Sequence, residues 1–118
     1  MANQTYQGGC QCGAVRFKVE ADLDGVITCN CSRCQPLGMI LAFAPPSAFE
    51  LEKGEDALSE YRFNNKKIAH LFCATCGVQS FGRGVMPSGA TVIAINARAL
   101  DGVDPNALSP KSVDGRSF

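Results

Sequence analysis

The cysteines are the residues of this sequence with the clearest chemical potential, and there are seven of them. They form three groups: Cys10 and Cys12, then Cys29, Cys31 and Cys34, then Cys73 and Cys76. An odd number of thiols cannot all pair as intramolecular disulfides, but seven thiols can divide into four and three. In a reducing cytosol, a chain so rich in cysteine is typical of a metal-binding or catalytic protein.

The two outer pairs predict one closed structural zinc site. Gly77 follows the C-x-x-C pair Cys73 and Cys76, and a glycine there permits the positive φ that such turns often need. Ligand sulfurs around zinc lie about 3.8 Å apart because the Zn–S bond is about 2.3 Å long. A flat strand would hold residues i and i+2 about 7 Å apart, so the C-x-C pair Cys10 and Cys12 must bend. The alternatives are buried free thiols or a redox-active C-x-x-C pair.

The middle group, C-x-C-x-x-C, has one cysteine fewer than a closed zinc site requires. Catalytic zinc sites have three protein ligands and one position for water or substrate. Cys29, Cys31 and Cys34 are therefore candidate catalytic residues that hold a second, open zinc. His70 could fill the open position, but in a strand its ring would point away from Cys73, so we expect a half-buried structural histidine. The other alternative is that the three thiols bind no metal and that one of them is simply reactive.

Length and composition predict a single globular domain. The chain has 118 residues, of which 46% are hydrophobic and 19% charged, values typical of a folded protein. Eleven basic and eleven acidic residues balance, which argues against binding to nucleic acid or an anionic membrane. Lys66-Lys67 is the only adjacent basic pair, and we interpret it as a solvated turn. The longest mostly apolar run, residues 39–44, is far below the roughly 20 residues that span a bilayer. The N-terminus lacks an apolar signal core, so a cytoplasmic location is expected.

Short strands separated by turn residues predict a mainly β fold without repeats. Residues 14–20 alternate apolar with polar at period two, as in a half-buried strand. Asn64-Asn65 predicts the turn of a hairpin, and the β-branched segment 91–96 predicts a central strand. The expected strands are 14–20, 39–43, 49–52, 61–63, 68–73 and 91–96. Pro36 and Gly38 predict a loop directly after the cysteine triad, residues 97–100 could form one helical turn, and the tail, residues 104–118, should be irregular.

Three motifs in this order resemble those of a known family. They are GGCQCGAVRF, CNCSRC and HLFCATCG, and they resemble the glutathione-dependent formaldehyde-activating enzyme family, which includes the centromere protein V domain. The resemblance runs from about Tyr6 to Leu100. It implies a small zinc-stabilised β "tent", here a single domain over residues 1–118 with its core at about residues 6–100. It also implies that structural zinc is held by Cys10, Cys12, Cys73 and Cys76, and catalytic zinc by Cys29, Cys31 and Cys34.

The family reaction joins formaldehyde to glutathione and gives S-hydroxymethylglutathione, so the resemblance implies a carbon–sulfur lyase. A thiol that coordinates the open zinc position would lose its proton, and its sulfur would then attack the aldehyde carbon. The implied cofactor is Zn²⁺, one structural and one at the triad, and the implied partner is a small thiol such as glutathione. Arg33, in the triad loop, could bind a substrate carboxylate through its guanidinium, or it could be an exposed loop arginine.

Two other functions are compatible with the sequence. One is a non-catalytic, zinc-stabilised binding module, as the centromere protein V domain suggests, although the balanced charge disfavours its nucleic-acid form. The other is a thiol or metal buffer that uses the triad without a substrate. Exposed strand edges would also permit a homodimer.

Overall fold

The computed structural model describes residues 3–62 and 68–115, which form two β-sheets. The smaller sheet is antiparallel and has the strand order β1-β2-β5. The larger sheet has the order β10-β3-β4-β9-β8-β7-β6, and its pairs are antiparallel except that β10 runs parallel to β3. The strands are β1 Gln4–Gly9, β2 Arg16–Ala21, β3 Ile27–Cys29, β4 Leu41–Ala44, β5 Phe49–Lys53, β6 Leu58–Tyr61, β7 Ala69–Cys73, β8 Phe81–Val85, β9 Thr91–Asn96 and β10 Lys111–Val113.

The hydrophobic core contains side chains from both sheets. The alternation in β2 buries Phe17, Val19 and Ala21 and leaves the residues between them exposed. Phe17 packs against Phe49 of β5 and Phe81 of β8, with ring centroids 5.3 and 5.8 Å away. Such tilted and edge-on arrangements are favourable for aromatic pairs. This cluster joins the smaller sheet to the larger one, and the mainly β prediction is confirmed.

Helical structure is sparse in the described part of the chain. It comprises one α-helix, α1 Cys34–Leu37, and short 3₁₀ turns at Leu23–Gly25, Pro46–Ala48, Glu55–Ala57, Ala97–Ala99 and Pro105–Ala107. The turn at Ala97–Ala99 confirms the single helical turn predicted for residues 97–100. None of these helices is long and apolar enough to cross a lipid bilayer.

Most of the predicted strands are present, with shifted ends. The segments 14–20, 49–52, 68–73 and 91–96 correspond within two residues to β2, β5, β7 and β9. β9 is central, because it pairs with both β4 and β8. The segment 39–43 likewise corresponds within two residues to β4, which begins at Leu41. β6 and β7 pair as the predicted hairpin requires, with Tyr61 opposite His70, but the strand predicted at 61–63 was placed too late, because β6 ends at Tyr61. The turn expected at Asn64-Asn65 and the Lys66-Lys67 pair lie outside the described residues.

Two predictions about irregular structure are wrong. The tail contains β10, which adds a parallel strand to the larger sheet. Cys34–Leu37 is a helical turn and not a loop, because Pro36 lies in the first turn, where a backbone N–H has no intrahelical partner to lose. Sequence patterns also missed β1, β3 and β8. β1 is mostly polar, β3 is only three residues long, and β8 contains two glycines.

Candidate metal centres and an adjoining cavity

Four cysteines from two distant turns meet in one group. Cys10 and Cys12 lie in the turn between β1 and β2, whereas Cys73 ends β7 and Cys76 lies in the turn that follows. All four Sγ atoms lie within 4.8 Å of one another. The Sγ atoms of Cys10 and Cys12 are 3.7 Å apart, as are those of Cys12 and Cys73. These separations are close to the value of about 3.8 Å between thiolates around zinc, so the group could hold a metal ion.

Each of the two turns is closed by a backbone hydrogen bond, and the two bonds have the same span. The Cys10 N–H donates to the Val15 carbonyl at 3.1 Å, and the Cys73 N–H donates to the Val78 carbonyl at 3.0 Å. Each bond spans five residues. Gly77 takes a φ of 81°, in the left-handed region that favours glycine, as its place after the C-x-x-C pair predicts. The C-x-C pair bends as expected, because a flat strand could not bring its sulfurs to 3.7 Å.

Backbone amides favour the thiolate form in the second of these turns. Hydrogen bonds from the backbone of Val78 and of Cys12 lower the pKa of Cys76 to about 6. The Cys73 Sγ accepts from the N–H groups of Cys76 and Thr75, at 3.5 and 3.4 Å, which lowers the pKa of Cys73. Because the thiolate is the form that binds metal, the lowered pKa values favour metal binding by Cys73 and Cys76.

The three remaining cysteines form a second group in the larger sheet. Cys29 ends β3, Cys31 lies in the following loop and Cys34 begins α1. Their Sγ atoms lie within 4.8 Å of one another, and within the described residues no histidine or carboxylate joins them. The Cys34 N–H donates to the Cys31 Sγ at 3.2 Å, and the Gln35 N–H donates to the Cys31 carbonyl at 3.1 Å. The start of α1 therefore sets the spacing between Cys31 and Cys34.

The thiols of the triad differ in acidity. Burial opposes ionisation of Cys31, but hydrogen bonds from the backbone and side chain of Cys34 outweigh it, so the pKa of Cys31 is lowered. Burial, followed by the neighbouring Cys31, raises the pKa of Cys34 well above its usual range. Of Cys31 and Cys34, the loop therefore favours the thiolate form at Cys31.

The C-terminal segment packs directly on the triad. The Asn30 N–H donates to the Val113 carbonyl at 3.3 Å, and Asn30 Nδ2 donates to Asp114 Oδ1 at 3.0 Å. Gly115 lies so close to Cys29 that a Cβ at position 115 would collide with the Cys29 Sγ. Sequence reasoning gave the C-terminal residues no role, because they carry no metal-ligand pattern and because 84 positions separate Asp114 from Asn30.

A cavity of about 290 Å³ opens beside the triad. Its polar side chains, besides the three cysteines, are His70 and Gln79, which are only 5% and 6% exposed. Among the described residues that line it, none is Asp, Glu, Lys or Arg. The large apolar side chains around it are Ile27, Met39, Leu41, Phe43 and Ile68.

A hydrogen-bonded chain orients the two polar side chains of the cavity. Arg33 donates from Nε and Nη2 to Gln79 Oε1, at 3.1 and 2.8 Å. Because a guanidinium can only donate, the Gln79 amide must direct Nε2 towards His70 Nδ1, 3.2 Å away. His70 Nδ1 therefore accepts, and the proton of the neutral ring lies on Nε2. Burial, and then the charge of Arg33, lower the pKa of His70. His70 is thus buried, not half-buried as expected, and it belongs to neither cysteine group.

Arg33, the sequence-based candidate for binding a carboxylate, is held at the edge of this network. Besides its bonds to Gln79, its guanidinium carbon lies 5.1 Å from the ring centroid of Tyr61 and 5.7 Å from that of Phe72. Both separations are typical of cation–π contacts. A role for Arg33 in binding substrate stays a prediction.

A second depression of about 690 Å³, here called the polar groove, shares Cys29, Cys34, Met39 and Val113 with the cavity. Arg98, from the 3₁₀ turn after β9, borders the groove, and its Nε donates to the Gly38 carbonyl at 2.9 Å. Sequence reasoning missed Arg98, because nothing in the local sequence connects it with the triad. The polar residues around the groove are Thr28, Asn30, Gln35, Ser112 and Asp114.

Comparison with known proteins identifies close similarities over nearly the whole chain. The family model described as "Glutathione-dependent formaldehyde-activating enzyme" matches residues 5–114. A crystal structure of a Rhodobacter sphaeroides protein is similar with a TM-score of 0.80 and 31% sequence identity, and the match covers 90% of this chain and 97% of that one.

Proposed function

The chain belongs to the glutathione-dependent formaldehyde-activating enzyme family, and on this basis we propose that it catalyses the reversible addition of a small thiol to an aldehyde. The reaction class is that of a carbon–sulfur lyase. The observation that carries the proposal is the position of the triad. Its three sulfurs cluster within 4.8 Å, at the place where the polar groove and the cavity share Cys29 and Cys34.

The two cysteine groups fit two different kinds of zinc site. The four-cysteine group offers a complete tetrahedral set, as structural sites do, whereas the triad offers three thiolates, as catalytic sites with an open position do. A zinc ion at the triad would supply a soft, cationic centre at which a substrate thiol ionises at neutral pH. The lowered pKa of Cys31 supports its part as a ligand.

The polar groove is the proposed binding place for the thiol substrate. Glutathione carries carboxylates and amides, and the groove provides Arg98 together with several hydrogen-bonding side chains. A guanidinium can bind a carboxylate through two parallel hydrogen bonds. The bond from Arg98 to the Gly38 carbonyl holds the guanidinium at the groove. Arg33 is the alternative carboxylate ligand that the sequence suggests.

The cavity is the proposed place for the aldehyde. The substrate sulfur forms a bond to the carbonyl carbon, the π electrons of the C=O bond move to the oxygen, and that oxygen takes the proton that the thiol has lost. The reverse reaction breaks the C–S bond and returns the proton to sulfur. His70 and Gln79, which line the cavity, are neutral donors that could stabilise the developing charge on oxygen.

A single substitution in the triad loop tests the proposal. Cys31→Ser should remove a triad ligand, so the protein should bind one zinc fewer in native mass spectrometry. It should also lose its acceleration of the reaction between glutathione and formaldehyde, measured by exchange NMR against the spontaneous rate. Ser32→Ala is the matched control, because it changes the neighbouring residue without touching a sulfur. Wild-type acceleration by Cys31→Ser would exclude the triad as the catalytic site.

A further inference from the structure

The cavity beside the triad is much larger than formaldehyde requires. Formaldehyde has two heavy atoms, whereas the cavity has a volume of about 290 Å³. An apolar cavity of about 150 Å³ is sufficient to hold benzene. The space beside the cysteines therefore suits a molecule with a substituent of about six carbon atoms or slightly more.

The lining of the cavity selects for an apolar group. Ile27 lies on β3, Leu41 on β4 and Ala94 on β9, so three neighbouring strands of the larger sheet contribute apolar side chains. Among the described lining residues none carries a formal charge apart from the ionisable cysteines and His70, and the pKa of His70 is lowered, which favours its neutral form. A charged substrate group placed here would lose its hydration without a partner.

Two large apolar side chains at the cavity are also exposed to solvent. Phe43 is 46% exposed and Ile68 is 48% exposed, and both line the cavity. Exposed aromatic and aliphatic side chains that border a concave apolar surface are characteristic of ligand sites. Because the polar groove offers charged and hydrogen-bonding groups, the two depressions that share Cys29 and Cys34 differ in the chemistry they select.

From this contrast we infer that the carbonyl substrate is an aldehyde with an apolar alkyl or aryl substituent of about six carbons, bound in the cavity with its carbonyl group towards the triad. The inference rests on the proposed function and specifies its substrate class. The step is the same addition: a C–S bond forms, the C=O π electrons move to oxygen, and oxygen takes the proton of the thiol. The substituent does not react, and it contributes binding through burial of apolar surface.

Methionine NMR measures occupation of the cavity without any turnover. The chain has three methionines. Met39 is 3% exposed and lines the cavity as well as the groove, so a variant that fills only the cavity must assign the site, whereas Met86 is 50% exposed and lines neither. In protein labelled with ¹³C at the methionine methyl groups, hexan-1-ol serves as an unreactive probe. The Met39 signal is the one that is absent from the spectrum of Met39→Leu. We expect increasing hexan-1-ol to shift this signal until the shift saturates. The Met86 signal should not move.

A cavity-filling variant provides the matched comparison. Ala94 lines the cavity, and Ala94→Phe should occupy the space and weaken hexan-1-ol binding at least tenfold. Ala107→Phe adds the same ring at an exposed position in the tail and should bind hexan-1-ol like the wild type. A Met39 signal that hexan-1-ol does not move, or binding that Ala94→Phe does not weaken, would overturn the inference.

Turnover then separates this inference from the proposed function. With glutathione as the thiol, kcat/KM should rise about fourfold for each methylene added between propanal and heptanal, aldehydes of similar intrinsic reactivity, as expected for burial of one CH₂ group. Propanal turned over as efficiently as heptanal would overturn the apolar substrate class and leave the lyase function standing. Saturable binding of hexan-1-ol without turnover of any aldehyde would instead overturn the proposed function, and the cavity would remain a binding site for an apolar ligand.

Discussion

At the scale of single residues, Gly115 constrains the triad although it has no side chain. It lies against the Cys29 sulfur, at a distance that only a hydrogen in place of a side chain permits. Asp114 next to it accepts from Asn30, which stands between two of the triad cysteines. The C-terminal segment thus packs against the sulfur of Cys29, a residue that lines both the cavity and the groove.

Gly115→Ala should weaken metal binding at the triad by about 10- to 100-fold, the range seen when groups around metal ligands are changed. The physical reason is that the new Cβ must displace the Cys29 sulfur or the tail. Competition with a chelator, followed by native mass spectrometry, measures the effect. Gly25→Ala is the control, since a Cβ at position 25 meets no atom within 4 Å. Equal zinc retention in the two variants would show that the tail can move aside without cost.

At the scale of secondary-structure elements, the parallel pair β10 and β3 positions the triad. β3 carries Cys29 at its end, and β10 places Val113 opposite Cys29. The Lys111 N–H begins this pairing by donating to the Val26 carbonyl at 3.0 Å. Three-residue strands have little stability alone, so β3 depends on its neighbours for its position.

Lys111→Pro should loosen this pairing, because proline removes the backbone N–H that bonds to Val26. We expect the free energy of unfolding to fall by about 1 kcal/mol and the triad zinc to dissociate about tenfold faster, while the four-cysteine site keeps its metal. Lys111→Ala keeps the N–H and is the control for the lost side chain. Denaturant unfolding and the rate of zinc transfer to a chromophoric chelator check both effects. Identical release rates in the two variants would contradict a supporting role for β10.

At the scale of the whole molecule, the four-cysteine group connects the two sheets. Two of its cysteines lie in the β1–β2 turn of the smaller sheet, and the other two lie at the end of β7 of the larger sheet and in the turn that follows. The aromatic cluster around Phe17 joins the same sheets through the core. A metal ion at this group would therefore stabilise the arrangement of the sheets, as structural zinc does in small domains.

Cys12→Ser should destabilise the fold far more than Cys31→Ser. Cys12 is exposed, so its replacement removes a ligand without creating a core cavity. Loss of one zinc ligand should cost several kcal/mol, and the Tm should fall by about 4 °C for each kcal/mol. Thermal unfolding of both variants, each loaded with zinc, measures the difference. Equal Tm values would mean that the four-cysteine group does not stabilise the fold through a metal.

Patterns that are local in sequence were sufficient for part of this architecture. The period-two alternation around Phe17 predicts β2, and the β-branched run 91–96 predicts the central strand β9. The spacing of the cysteines predicts their division into four and three, which the positions of the sulfur atoms reproduce. These predictions succeed because the geometry of a strand or of a metal-binding turn is determined by residues within a few positions of one another.

Only the tertiary structure decided what surrounds the triad. Gly115 reaches Cys29, Gln79 reaches Arg33, and Arg98 borders the groove, although each lies tens of residues from its partner. The apolar cavity likewise combines β3, β4 and β9. Contacts of this kind depend on how strands order themselves in a sheet, and strand order is set by the burial of whole faces and not by any spacing along the chain. The sequence by itself therefore determined which residues could bind metal, and packing between distant segments determined what the candidate site can bind.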